Sequence, residues 1–559
     1  MTDIATRSPV DEMADRFWEY FLERQPIYAS ILGDRRYDDR LGDPGPEGRE
    51  TDRAVLSEVL VEAAKLDRSA LDTEDRITLA MLEVVARTHI AELDHRVHEF
   101  DGLDQINGPQ SLMGDLARFT VVDSDDAFDR LLARIAAYPA YLAAHQANLD
   151  EGVASGRTAA PVVAERSIEQ LERMLAAPMD ESPLLIALGG LSDTQRERLQ
   201  TALERDVRPA LGGFLDYVRG YAPYSRAGAG VCWLPDGEAV YATAILSSTT
   251  LPYTAAELHQ YGLDQLAEID RERLAIAREL GYDDAKTLRA ALEKEPANLA
   301  SQSAELVELA RAQIERASAV APSWFGRLPR AACEVRAVEP YMEREAPGAF
   351  YFPPAPDGTR AGIYFINTYQ PETRPLHQLA SITYHEAVPG HHFQLTIETE
   401  LEDLHPFRRF GSRLAGVAYA EGWGLYSERL ADEMGLYLDQ RERLGMLDMQ
   451  AMRAGRLITD TGLHALRWDR VHAVDVLEAT GLSRPQAEVE IDRYTVWPGQ
   501  ALAYMAGMRE IVALRRELEA RDGSAFDLQS FHDQLLGHGS LPLAILRAEL
   551  PLWVQPRPR

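Results

Sequence analysis

Residues 384–394 read YHEAVPGHHFQ. His385-Glu386 opens like the H-E-x-x-H pattern, but Pro389 stands where the second histidine belongs, followed by Gly390, His391 and His392. On a helix, residues four apart rise about 6 Å and differ by only about 40° in direction, so both imidazoles of H-E-x-x-H reach one ion. On an unbroken helix His391 would lie about 9 Å along and on another face, while His392 would return to the right face about 10.5 Å away. Neither fits a straight helix. Pro389 lacks the amide that would bond the carbonyl of His385, and its ring crowds that carbonyl. Gly390 can take backbone conformations that other residues avoid. We therefore expect the backbone to bulge at Pro389-Gly390, after which the helix resumes. His391 would then return to a metal beside His385, with His392 as the alternative ligand or a neighbour that orients substrate. The competing explanation is a histidine-rich helix end that meets the helix dipole. Three histidines and a glutamate within residues 385–392, in a chain with 14 histidines, favour the metal.

The flanking sequence sets this motif at the C-terminal end of a helix. Residues 376–388, LHQLASITYHEAV, contain no internal Pro or Gly, and Pro375 suits a first helical turn. Before it, the stretch from about Pro340 to Tyr369 is rich in aromatics, Pro and Gly, and Gly362-Ile363-Tyr364-Phe365-Ile366-Asn367 reads as a strand. An edge strand beside an active cleft would expose Tyr364 and Asn367 to substrate and could pair with a substrate backbone; a plain structural hairpin fits the same stretch equally well. CWLPDGEAVYATAIL, residues 232–246, suggests a second, local β element around the turn Pro235-Asp236-Gly237.

A third ligand is expected on a following helix. AYAEGWGLYSERLADEMG, residues 418–435, carries Glu421 and Glu428 seven apart on one face, and Gly422 after Glu421 would let the backbone approach the motif helix. Glu421 is the candidate ligand and Glu428 the candidate brace for a ligand histidine. Glu386 is placed to act as general base. Farther on, Arg456, Asp460 and His464 form one helical stripe, and Arg493, Tyr494, Gln500 and Tyr504 flank a Pro-Gly break. Tyr494 or His464 could donate to a tetrahedral oxyanion, and Arg456 or Arg493 could hold a substrate carboxylate.

The rest of the chain reads as helix. DEMADRFWEYFLERQ, DRITLAMLEVVARTHIAELDHRV, AAPVVAERSIEQLERMLAA and SDTQRERLQTALERDVRPALGGFLDYV fill the first 220 or so residues with apolar positions at three- and four-residue spacing. A further helix opens at Thr254 as N-cap and stops at Gly281. No fixed-period repeat is present. A length of 559 residues exceeds one ordinary core, so two lobes are expected, residues 1–225 and a catalytic lobe at 226–559, with the active cleft between them. The expected class is mainly α: a large, multi-helix, two-lobed protein with a small β element.

Composition narrows the function further. The net charge of −31, from 58 basic and 89 acidic residues, argues against nucleic acid as a partner. No apolar run approaches the roughly 18 residues of a membrane span, and the first residues lack the basic start and apolar run of a signal peptide. Cys232 and Cys333 cannot form a disulfide framework and are expected to be reduced and buried, which makes the cytoplasm the default compartment.

HEAVPGHHFQ, EGWGLYSE, DTGLHALRW and DRYTVWPGQALAY, in this order, resemble the large bacterial family catalogued as domain of unknown function number eight-eighty-five. QPIYASILGDRRYDDRLGD, TTLPYTAAELHQYGL and GIYFINTY fit the same resemblance, which covers nearly the whole chain. That family is similar to the gluzincin metallopeptidases, helical proteins in which two histidines and a glutamate hold zinc. YAEGWGLYSE also looks like the segment N-E-G-F-A with which aminopeptidases of that clan present their glutamate ligand. The resemblance implies zinc held by His385 and Glu421, with Glu386 as general base, and leaves His391 and His392 both open. No G-x-M-E-N stretch is present, so aminopeptidase specificity does not follow. The expected function is zinc-dependent hydrolysis of an amide bond in a small peptide or amide substrate. Two alternatives stand beside it: a non-haem metal enzyme of other chemistry, to which two histidines and a carboxylate are also suited, and a non-catalytic helical binding protein.

Overall fold

Apolar side chains three and four residues apart drive most of the chain into helix. A computed structural model describes residues 7–339, 343, 346–355, 358 and 360–556, which are mainly helical with one small sheet. The chain divides into two compact units. Met1–Thr243, Leu463–Arg470 and Val489–Pro498 form the first; Ala244–Gly462, Val471–Glu488 and Gly499–Arg559 form the second. Two late segments thus pack with the first unit, which no boundary drawn along the sequence conveys.

In the first unit, helices Pro9–Arg24, Thr73–Asp94 and Pro161–Ala176 follow the periodic stretches of sequence. The SDTQ segment becomes Asp193–Ala202, a π-helical turn at Leu203–Val207, and Arg208–Tyr221. The 31-residue helix Asp125–Ser155 has Pro139 inside it, and that proline masks it in the sequence. Phe128, Leu131, Ile135 and Leu142 of this helix bury against Val163, Leu171, Phe214 and Val218 in one core.

In the second unit, helix Ala255–Glu279 starts with a reciprocal capping box between Thr254 and Glu257. It ends at Glu279, two residues before Gly281, whose φ of +86° suits the left-handed exit from a helix. The segment from Cys232 to Leu246 is not a β element. Val231–Trp233 forms a 3-10 turn and Gly237–Thr249 a helix, in which Val240, Tyr241 and Ile245 are buried at helical rather than alternating spacing. Short β-branched runs do not distinguish the two periods. Cys232 and Cys333 are free but partly exposed rather than buried.

The sheet has strand order β1-β3-β2: β1 is Cys333–Ala337, β2 is Ala349–Phe352 and β3 is Gly362–Ile366. β3 runs parallel to β1 and antiparallel to β2, with Tyr364 opposite both Val335 and Tyr351. The predicted strand is therefore central, not an edge, and its backbone is committed on both sides. Pro340–Met342, Arg344, Glu345, Pro356, Asp357 and Thr359, within the aromatic stretch, lie outside the described residues, as do residues 1–6. Leu306 and Ala310 of helix Ser303–Val320, Val335 of β1, Tyr364 and Ile366 of β3, and Leu379 and Ala387 beside the motif share one core. That core fixes the motif helix, Leu376–Glu386, against the sheet.

Two other helices complete the setting. Val417–Glu433 (the glutamate helix) packs along Ala503–Asp522 (the closing helix). A Cβ on Gly422 would lie 2.4 Å from the Gly507 carbonyl carbon, and one on Gly507 would lie 1.8 Å from the Ala418 carbonyl oxygen. The two backbones meet where no side chain fits. Among the described residues no helix is long and apolar enough to cross a membrane.

Gly507→Ala should test this contact. Alanine in a helix ordinarily adds about 1 kcal/mol of stability over glycine, but the clash here is with backbone, which cannot swing aside. We expect a net loss of about 3 kcal/mol, read from urea denaturation. A neutral or stabilised variant would show that the two helices can part at little cost.

Candidate metal centre

The motif helix ends at Glu386, and a second helix, His391–Thr399, starts after a four-residue turn. The backbone is thus broken at Pro389-Gly390, and the Val388–Pro389 peptide bond is cis. The turn folds back tightly on the helix end: a Cβ at Gly390 would lie 1.9 Å from the carbonyl oxygen of His385 and 2.4 Å from that of Tyr384. Trp423 Nε1, fully buried, donates to the carbonyls of Pro389 (2.9 Å) and Gly390 (3.2 Å). The glutamate helix is therefore pinned to the turn itself. Beside it, a Cβ at Gly424 would meet the His385 imidazole at 2.8–3.1 Å. Gly424, not Gly422, is the residue whose small size admits the motif helix.

This packing brings His385, His391 and Glu421 together. One donor atom from each lies within 4.8 Å of the others. Glu421 Oε2 is 3.7 Å from His385 Nε2 and 3.4 Å from His391 Nε2, and the two imidazoles meet edge to face with centroids 4.7 Å apart. Glu428 Oε1 accepts from His385 Nδ1 at 2.8 Å, while its Oε2 accepts from Ser381 Oγ and Gln450 Nε2. That bond orients the ring so that Nε2 of His385 faces Glu421. Glu386 is the last residue of the motif helix, next to His385 and partly exposed.

The electrostatics match this geometry. Burial would lower the pKa of His385, yet Glu421 and Glu428 outweigh it and raise it to about 10. Burial would raise Glu421, yet His385 and His391 hold it well below the usual carboxylate range. Two carboxylates bracketing one buried imidazole call for a positive charge, whether a proton or a metal ion. Two imidazole nitrogens and a carboxylate oxygen are the donors zinc accepts at a site with an open position, so the residues fit that ion.

Several other predicted residues have different duties. His392 Nδ1 bonds the Tyr351 hydroxyl at 2.8 Å, its ring also bonds the backbone of Ala331, and burial lowers its pKa to about 4. It serves the join to β2 and is not in the cluster. Tyr364 is fully buried beneath the motif helix, its hydroxyl 3.4 Å from Thr383 Oγ1. Asn367 spends its amide on the carbonyls of Glu343 and Ala346 and accepts from Tyr369 N–H, so it braces a loop. Both side chains are buried. His464 belongs to the first unit, where Nδ1 accepts from Val231 N–H and Nε2 donates to the Tyr494 carbonyl; burial lowers its pKa to about 3. It is a buried backbone tie with both ring nitrogens committed. Tyr494 and Arg493 also fall in the first unit, with the Tyr494 hydroxyl donating to Glu490 and the Arg493 guanidinium over Trp497. Asp460 accepts from Gly499 N–H.

Tyr504, Arg453 and Arg456, the last of them expected from the sequence, lie beside the cluster. The Tyr504 ring stacks on His385 with centroids 6.3 Å apart, and Arg456 lies over Tyr504 at 4.5 Å. Arg453, one turn earlier, lies over the same ring at 5.5 Å. The available signal was the three-residue spacing of Arg453 and Arg456, which puts both on one helical face.

The chain belongs to the family described as bacterial protein of unknown function (DUF885), whose model matches residues 26–550. No curated protein matches it. Among solved structures, a protein from Colwellia psychrerythraea is 26% identical and superposes with a TM-score of 0.90, over 97% of this chain and 98% of that one. A second, from Shewanella oneidensis, is 20% identical with a TM-score of 0.75, over 97% and 99%. Both are described as a "putative lipoprotein".

Glu428→Gln should weaken metal binding between about 10- and 100-fold, because it removes the carboxylate that orients His385 and strengthens its basicity. A competitive chelator titration with zinc measures this. Wild-type affinity in the variant would show that Glu428 plays no part in holding the site.

Proposed function

We propose that the chain is a zinc-dependent hydrolase that cleaves amide bonds, most naturally in short peptides. The observation that supports this reading best is the convergence of His385 Nε2, His391 Nε2 and Glu421 Oε2 within 4.8 Å, on helices broken and pinned so as to bring them together. Two histidines from one interrupted motif and a glutamate from a following helix are the arrangement of gluzincin metallopeptidases, and we place the protein beside them. Zinc held by these three residues would supply a polarised carbonyl and a water of lowered pKa.

The chain's own groups do the rest. Glu386 takes a proton from the attacking water at its carboxylate and delivers it to the leaving amine nitrogen as the C–N bond breaks. Glu428 holds the Nδ1 proton of His385 and so keeps Nε2 a lone-pair donor. Tyr504, against His385, takes the part that the sequence offered to Tyr494 or His464, a phenol at the edge of the site. None of these steps requires a redox partner, so the chemistry is the same inside or outside the cytoplasm.

Glu386→Gln tests the mechanism. The variant should keep stoichiometric zinc while hydrolysis of a diverse peptide pool, followed by mass spectrometry, falls about 10²- to 10⁴-fold. In the wild type a chelator should stop turnover and added zinc should restore it. Undiminished hydrolysis by the variant, or turnover that survives chelation, would refute the proposal.

A further inference from the structure

We infer that Arg453 recognises a carboxylate of the substrate, and that this carboxylate is the free C-terminus of the peptide, so that the enzyme cuts close to the carboxyl end; the inference rests on the hydrolase reading above. Arg453 lies on helix Gln440–His464, within the second unit, together with the three clustered ligands. Its guanidinium is 5.5 Å from the centroid of Tyr504, whose ring stacks on the ligand His385. Its charge acts on both His385 and Glu428.

What sets Arg453 apart is what it bonds. Arg429, Arg443 and Arg515 in the same unit each meet a carboxylate at 2.7–2.9 Å. Arg453 Nη1 instead meets only the thioether sulfurs of Met449 (3.7 Å) and Met452 (3.9 Å), and its buried Nε has no hydrogen-bond partner among the described residues. Other arginines that meet no carboxylate, such as Arg226 and Arg316, bond backbone carbonyls instead, and Arg453 does neither. Leaving such donors unused is costly, and the planar fork matches a carboxylate through two parallel bonds. Apart from Arg453 and Arg456, the charged side chains at the site are Glu386, Glu421 and Glu428, carboxylates that repel an anionic substrate. An arginine here offsets that repulsion at one fixed distance from the scissile bond, which is how a chain end is told from a chain middle. Met449 and Met452 give the guanidinium a soft, adaptable surround that can yield as the carboxylate enters. The reaction is ordinary hydrolysis: water adds to the carbonyl, the C–N bond breaks, and the released amine carries the proton from Glu386.

Matched peptides test this: a free acid, its C-terminal amide, and a version with acidic side chains replaced by their amides. With wild-type enzyme, C-terminal amidation should lower kcat/KM about 100-fold, mainly through KM, and side-chain amidation should change little. Arg453→Met should cut the free acid no faster than the amide, the acid losing far more than the amide. Arg453→Lys should recover part of the loss, because it keeps the charge without the fork. Melting curves establish that each variant is folded. Equal cleavage of acid and amide by the wild type would overturn the inference, as would an equal loss on both in Arg453→Met. A loss on side-chain amidation alone would overturn the C-terminal assignment. Calorimetry on the zinc-loaded Glu386→Gln protein separates the two readings. If wild type cleaves nothing but this protein binds free acids about 100-fold more tightly than amides, the hydrolase reading fails and the role of Arg453 stands. If it binds both alike, Arg453 does not read the terminus.

Discussion

The turn at Pro389-Gly390 lies so close to the end of the motif helix that residue 390 has no room for a side chain. Most of the site follows from that contact. A helix that ran on through residue 392 would carry His391 away from His385. Folding the turn back against the carbonyls of Tyr384 and His385 starts a new helix at His391 and sets the two imidazoles edge to face. The turn leaves the Pro389 carbonyl to the indole of Trp423, which also donates to the Gly390 carbonyl beside the Gln394 N–H. A buried carbonyl left without a donor costs on the order of 1–3 kcal/mol, so this indole is part of the turn's stability as well as its position.

Three consecutive residues of the glutamate helix then serve three different neighbours. Gly422 admits the closing helix, Trp423 caps the turn and Gly424 makes room for the His385 ring. Glu421 and Glu428, seven residues apart on that helix, reach the same imidazole from opposite nitrogens. The small residues and the charged ones form one device. Close backbone approach shortens the distance between helices, and the short distance lets carboxylates on one helix hold a histidine on another.

The parts legible in the sequence were those governed by local physics. The helices of both units follow apolar periodicity, Thr254 and Gly281 mark the ends of theirs, and a proline in H-E-x-x-P-G-H-H foretells a broken helix. The errors arose where a local pattern has two solutions. The run from Cys232 to Leu246 suits strand and helix alike, and it became helix. The strand at Gly362–Ile366 is legible but its central place is not, because nothing within it says that β1 and β2 occupy both its edges. His464 and Tyr494 read as donors open to a substrate, yet a buried polar side chain finds a partner within the fold: His464 bonds backbone through both ring nitrogens and the Tyr494 hydroxyl donates to Glu490.

The chemistry on offer, two histidines, two glutamates and a helix that must break between them, follows from residue types and spacing within short segments. Which of those groups meet is a matter of packing. His391 stands with His385 and Glu421 while His392 turns to Tyr351, and Tyr504 with Arg453 and Arg456 occupies the ground once offered to Tyr494 and His464. Spacing along a chain constrains neighbours up to a turn or two away, whereas contacts such as Trp423 with Pro389 or Gly422 with Gly507 join residues tens of positions apart. Those distances are set by the volumes of side chains between the helices, and they exist only once the core has closed.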